Sequence, residues 1–128
     1  ARNSSVGPLT ALRTIESEKR YKVARAQSLR DRFKGCLLCR MPEDESFSKL
    51  QHWRVVENEF PFDKIARRSW IVMPRRCVGR WEKLTGAERS EYQGFRSDAR
   101  RYDIDAFLWT TPTNPSLPGH YHEHVLQL

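Results

Sequence analysis

The stretch His120-Tyr121-His122-Glu123-His124-Val125-Leu126 gathers three of the chain's four histidines into five residues. Alternate side chains of a strand share one face at a rise of about 3.3 Å per residue, so the three imidazoles would stand in a row about 6.6 Å apart. Such a row can grip a phosphate. Imidazole suits phosphoryl or nucleotidyl transfer, because a neutral ring can attack phosphorus while a protonated neighbour donates to the leaving oxygen or nitrogen. A plain metal site or an engineered tag is the competing reading. Tags, however, are usually contiguous histidines, and this run continues into the apolar Val125-Leu126.

Working outward, residues 120–128 read as a final strand, 112–119 as a Pro-rich loop and 106–111 as another strand. Thr85 and Glu88 have the spacing of a capping box, which predicts a helix from about 86 to 102. His52-Trp53-Arg54-Val55-Val56-Glu57 and Ser69-Trp70-Ile71-Val72-Met73 are β-branched and aromatic enough for strands, joined through a turn with a short further strand at 58–62. Residues 41–48 read as a loop and 35–40 as a tight turn. From 8 to 34, Leu9, Leu12, Ile15, Tyr21, Val23, Ala24, Leu29 and Phe33 recur at helical spacing, with Gly35 as the stop. That apolar face is thin, which suits a helix lying along a body or a partner. The pattern predicts an α+β fold: a basic helical extension, 1–34, and a domain, 35–128.

Composition bounds the function. The chain has 128 residues, 38% hydrophobic and 30% charged, which suits one domain with a modest core. Its apolar runs fall far short of the roughly 20 residues that cross a bilayer, so no membrane span is expected. The polar opening residues give no indication of export. Three cysteines, Cys36, Cys39 and Cys77, allow one disulfide at most, so a reducing intracellular compartment (cytoplasm or nucleus, with an organelle left open) or a bound metal is expected. Of the net charge of +7, residues 1–34 supply nine Lys/Arg against three Asp/Glu, whereas 35–128 hold fourteen against thirteen. The extension therefore invites a phosphate-rich partner, nucleic acid or an acidic protein, although a solvated basic face is the plainer alternative.

Cys36-Leu37-Leu38-Cys39 has the two-residue spacing that lets two thiolates share a tetrahedral zinc. A thioredoxin-like redox pair has the same spacing but needs a helix behind it, and Met41-Pro42 breaks the chain there.

The His-x-His-x-His run followed by two apolar residues, together with the step Ile71-Val72-Met73-Pro74-Arg75-Arg76 and the order of elements from Cys36 to Leu128, resembles the histidine-triad (HIT) family of nucleotide hydrolases and transferases. The resemblance implies a five-stranded, mainly antiparallel sheet and a homodimer. It makes His122 the nucleophile that forms a nucleotidyl-histidine, places His124 near the scissile phosphate and leaves His120 to orient. A third histidine, where a uridylyltransferase would have glutamine, points to the hydrolase side. Substrates would be nucleoside phosphoramidates, dinucleoside polyphosphates or nucleotide adducts. Asp63 would meet a ribose hydroxyl, and Ser69, Asn114 and Ser116 stand at nucleotide-contacting positions. A zinc-binding subset of the family carries the Cys-x-x-Cys pair, and matching its positions gives a structural Cys₃His zinc site of Cys36, Cys39, Cys77 and His120.

The sequence departs from the family pattern at three places. Glu123 stands where an apolar residue is usual, Ser69 where many members carry histidine, and Asn114-Pro115-Ser116-Leu117-Pro118-Gly119 where a Gly-Gln-Ser type of loop is usual. The alternative function is therefore an inactive zinc module that binds nucleic acid or a ribonucleoprotein through residues 1–34.

Overall fold

The computed structural model describes residues 12–30, 36–109 and 119–128. The expected helix segments 8–11 and 31–35, the strand end at 110–111 and the loop holding Asn114 and Ser116 lie outside the described residues. The described elements are α1 (Ile15–Arg30), α2 (Leu37–Arg40), β1 (Trp53–Glu57), β2 (Arg68–Pro74), α3 (Gly86–Ser97), β3 (Ala106–Leu108) and β4 (Glu123–Gln127). Short 3₁₀ turns at Glu45–Phe47, Trp81–Lys83 and Ala99–Tyr102 link them. None of the described helices is long and apolar enough to cross a membrane.

The expected α+β architecture is present, with four strands among the described residues where five were expected. They form one antiparallel sheet in the order β1-β2-β4-β3. Residues 58–62 do not make the fifth, because the Asn58 side chain accepts the Phe60 N–H at 3.0 Å and turns the backbone away from a partner strand. The last strand starts at Glu123 and not at His120. Gly119 takes a left-handed turn at φ 92°, and the Tyr121 N–H is drawn to the Val78 carbonyl at 2.6 Å. The helix expected to reach 102 leaves α geometry after Ser97. Its 3₁₀ continuation stops at Asp103, a left-handed residue with φ 56°.

Alternation divides the sheet into two faces. Trp53, Val55, Trp70, Val72 and Val125 point to one, where Phe47, Leu84, Tyr92 and Phe95 complete the main core. The indole N–H of Trp53 donates to the Glu88 carbonyl at 2.7 Å, and the Glu91 carboxylate accepts the N–H groups of Gln51 and His52, so α3 is bolted to the start of β1. On the other face, Val56, Ile71 and Met73 pack with Leu38 of α2, while Leu126 packs with Phe62 and Ala66. His124, paired with Ile71 on β2 and Leu108 on β3, belongs to this second face.

The front of α1 rests on the second face as well. Thr14 caps it by accepting the Ser17 N–H, and the Asp63 carboxylate in turn accepts the Thr14 N–H, the Thr14 hydroxyl and the Ser17 hydroxyl. Leu12 packs against the Phe62 and Leu126 cluster. Arg13 is buried, with its guanidinium 4.1 Å from the Tyr21 ring centroid and 4.4 Å from that of Phe62, and it donates to the Phe60 carbonyl and pairs with Glu18.

The predicted capping box of α3 is complete. Thr85 accepts the Glu88 N–H at 3.1 Å, and Glu88 accepts the Thr85 N–H at 2.8 Å. The same buried carboxylate takes two bonds from Arg76, at 2.6 and 3.0 Å. The Arg76 guanidinium, against the opposing effect of burial and with help from Thr85, holds Glu88 down at about 2. A depressed carboxylate stabilises the fold above its unfolded value of 4.5 and ceases to do so as pH falls through about 2. Chemical denaturation across that window should show stability falling with pH, and Glu88→Gln should flatten the dependence while losing about 1–3 kcal/mol at neutral pH.

Candidate metal centre and histidine site

Three separated segments converge beside the end of β2. Residues 36–40 wind as a short helical turn, which brings Cys36 and Cys39 to one side; Cys77 follows the strand-ending Pro74; and His120 follows the Gly119 turn. The three sulfurs and a ring nitrogen of His120 all lie within 4.8 Å of one another. His120 Nδ1 is 3.4 Å from both Cys36 Sγ and Cys39 Sγ. Tetrahedral bonds of zinc length, about 2.3 Å to sulfur and 2.0–2.1 Å to nitrogen, would set such pairs about 3.6 Å apart. The donor set and its spacing therefore fit a four-coordinate metal.

The surroundings fix these donors. His120 Nε2 donates to the Pro74 carbonyl at 2.9 Å, so Nδ1 is left with its lone pair toward the thiols. Arg54 on β1 donates to the carbonyls of Leu38, Cys39 and Met41 and holds the Cys36–Cys39 turn against the sheet. Cys77 Sγ lies 3.8 Å from the Gly119 carbonyl, in contact with the turn that delivers His120. No disulfide links these thiols. Partial burial and contact with Cys39 push the Cys77 thiol up to about 12, and partial burial also raises Cys39. Thiols this close suppress each other's ionisation, and a divalent cation removes that penalty by supplying the missing charge.

The other two histidines stand apart from the cluster. His122 Nδ1 donates to the His120 carbonyl at 2.8 Å, which leaves Nε2 as the basic nitrogen. The rings of His122 and His124 are 5.4 Å apart and nearly perpendicular, closer than the even row that strand spacing suggests. His124 meets the Phe62 ring edge to face at 4.7 Å. Both are buried, 5% and 2% exposed, and burial lowers the proton affinity of each; for His124 the mutual repulsion that two protonated rings would suffer and the Arg13 charge add to the effect. Both rings are therefore neutral near pH 7.

Of the residues expected to contact nucleotide, Asp63 spends its carboxylate on the start of α1, as described above. The Ser17 hydroxyl and the Thr14 N–H hold its charge in place against the effect of burial. Ser69 is buried on the histidine face, where its hydroxyl accepts the Phe62 N–H at 3.2 Å. Asn114 and Ser116 lie outside the described residues.

Sequence reading missed Arg54, which holds the cysteine turn, and Phe62 and Arg13 around His124. The basic charge of the extension hid Arg13, a buried arginine, beside the solvated Lys19, Arg20 and Lys22. A buried aromatic two residues after Phe60, in a segment read as a turn, carries no pattern that points to a histidine 62 residues away.

No family model and no curated protein matches the chain. The cluster predicts one metal ion per chain. Protein purified without added metal should contain it by elemental analysis, and Co²⁺ exchange should give the intense visible bands of a tetrahedral thiolate site. Cys77→Ser and His120→Ala should each lower metal affinity at least about tenfold. Freely alkylated thiols in the folded, metal-free protein would refute the site.

Proposed function

We propose that the chain transfers a nucleotidyl group to water through His122, with a structural zinc at Cys36, Cys39, Cys77 and His120. The observation that carries this reading is the anchoring of His122: its Nδ1–H is tied to the His120 carbonyl, and burial keeps its ring neutral 5.4 Å from that of His124. Zinc in a site of four protein donors has no open position, so it supplies rigidity and not Lewis acidity.

His122 Nε2 attacks the phosphorus of a bound nucleotide, and the bond to the leaving group breaks with its electron pair going to the leaving oxygen or nitrogen. Water then attacks the nucleotidyl-histidine, releases the nucleotide and returns the ring to its neutral form. His120 acts through its carbonyl: it fixes the ring that attacks, and its own side chain is fixed by Pro74 and the thiols. His124, held neutral, positions the phosphate beside His122, and the leaving group draws its proton from solvent.

Single-turnover assays with a nucleoside phosphoramidate and a dinucleoside polyphosphate test this. His122→Ala should lose activity by at least about 10³-fold and yield no nucleotide adduct by mass spectrometry. His124→Ala should lose about 10²-fold. Wild type that cleaves neither substrate and forms no adduct would set the reading aside.

One observation favours a second reading, an inactive module that binds nucleic acid. His122 and His124 are almost wholly buried, while α1 turns Lys19, Arg20 and Lys22 to solvent. A salt titration of RNA binding separates the two. Under the second reading, replacing those three residues by alanine should reduce the slope of log K against log salt by about 2, at 0.7–0.9 per phosphate contact.

A further inference from the structure

The face of β4 turned away from His122 and His124 holds a feature that neither the metal centre nor the histidines use. Glu123 pairs with Val72 in the β2–β4 register and is 6% exposed. The Tyr121 hydroxyl donates to its Oε2 at 2.6 Å, and among the described residues no arginine or lysine forms an ion pair with it. A carboxylate withdrawn from water without a cation is costly, so its position asks for one.

Glu123 lines a cavity of about 440 Å³, within the usual range of small-ligand sites of about 300–1,000 Å³. The rest of the wall is mostly aromatic: Trp81, Tyr92, Phe107, Trp109 and Tyr121. The Trp81 and Tyr121 rings are 5.6 Å apart at 52°, Trp81 and Tyr92 5.9 Å apart at 63°, and Tyr92 and Phe107 6.5 Å apart at 80°. Rings at such angles make the corners of a box. The Tyr92 hydroxyl is buried beside Glu123, where burial and the neighbouring carboxylate hold its proton on. Arg96, also at the cavity, places its guanidinium carbon 5.3 Å from the Phe107 centroid without reaching the Glu123 carboxylate. A ring of this box thus already attracts a positive charge.

We propose that this cavity binds an alkylated ammonium group, its charge directed at Glu123 and its alkyl groups against the ring faces. Aromatic faces attract a cation but offer no strong acceptors for N–H groups, so they favour a weakly hydrated, methylated ammonium over a bare one. A neutral aromatic ligand would leave Glu123 unpaired, and an anion would be repelled by it and find only Arg96. A free quaternary amine and the side chain of a methylated lysine present the same head group. The site lies across the sheet from the histidines, although the Glu123 charge also acts on His122.

The test is calorimetric titration of the full chain, with tryptophan fluorescence as a second signal. The probes are tetramethylammonium, choline, the neutral choline isostere 3,3-dimethylbutanol, and a short peptide bearing trimethyl-lysine or lysine. The cations should bind saturably and at least about tenfold more tightly than the neutral isostere. Glu123→Gln, which retains an acceptor for Tyr121, should weaken them about tenfold or more, as should Trp81→Leu, while Arg96→Gln should strengthen them by removing a competing charge. Tighter binding of the trimethyl-lysine peptide than of choline assigns the ligand to a protein side chain; the reverse assigns it to a small molecule. Circular dichroism and metal content provide the fold control. Equal binding of the neutral isostere, weaker cation binding by Arg96→Gln, or no saturable binding by correctly folded wild type would overturn the proposal.

Discussion

The imidazole of His120 is the joint on which the functional half of the molecule turns. One nitrogen donates to the carbonyl that ends β2 and the other faces two thiols from the cysteine turn, so a single ring links residues separated by more than 80 positions. Its carbonyl then accepts from His122, and the N–H of the following residue bonds to Val78. Closing long loops in this way carries an entropic cost that weak contacts meet poorly. A cation held by four donors meets it well, because binding energy available only to the folded arrangement becomes folding energy. A cation bound there would therefore fix the backbone as it leaves the turn at Gly119, beside which Cys77 and His120 already meet.

From there the period of two does the rest. His122, His124 and Leu126 go to the face shared with α1 and the cysteine turn, while Tyr121, Glu123 and Val125 go to the face shared with α3. One strand thus supplies two different chemistries back to back. A slip of one residue in register would exchange them, sending histidines into the aromatic core and Glu123 among the thiols and Phe62. The apolar residues paired with β4, Trp70 with Val125 and Ile71 with His124, resist such a slip because both faces of β2 are buried.

Features that depend on neighbours in sequence were legible from the residues. The Thr85–Glu88 capping box and the Cys-x-x-Cys turn are each written within six residues and recur in the structure, whereas the even row of three imidazoles does not, because His120 precedes the strand and turns to the thiols. Cys77 joined the ligand set through resemblance alone, since nothing local to it announces a metal. What sequence left hidden rests on contacts between distant segments. The Asn58 side-chain turn leaves no room for the short strand expected within the turn at 58–62, and Asp63, read as a ribose contact, is occupied by Thr14 and Ser17 from 49 and 46 residues away. Glu123 could be marked as unusual in its run, but its burial beside an aromatic cavity depends on where α3 and β3 pack. No periodicity encodes that.

The extension and the histidine site are not separable parts. The ring of Phe62 stands between them, 4.4 Å from the Arg13 guanidinium and 4.7 Å from the His124 ring. The neighbouring Asp63 caps the helix that Arg13 introduces. A buried guanidinium here needs its partners, and Phe60, Glu18 and two aromatic faces supply them. Its charge also acts on His124, where it adds to burial in opposing protonation. The docking of α1 therefore does two things at once: it packs on the second face of the sheet and adds the Arg13 charge to the burial that already holds the last histidine neutral. Undocking α1 would expose Phe62 and release His124 toward its ordinary proton affinity. A basic helix that looks from its composition like a tether for a polyanion is, at its first turn, part of the electrostatic setting of the histidines.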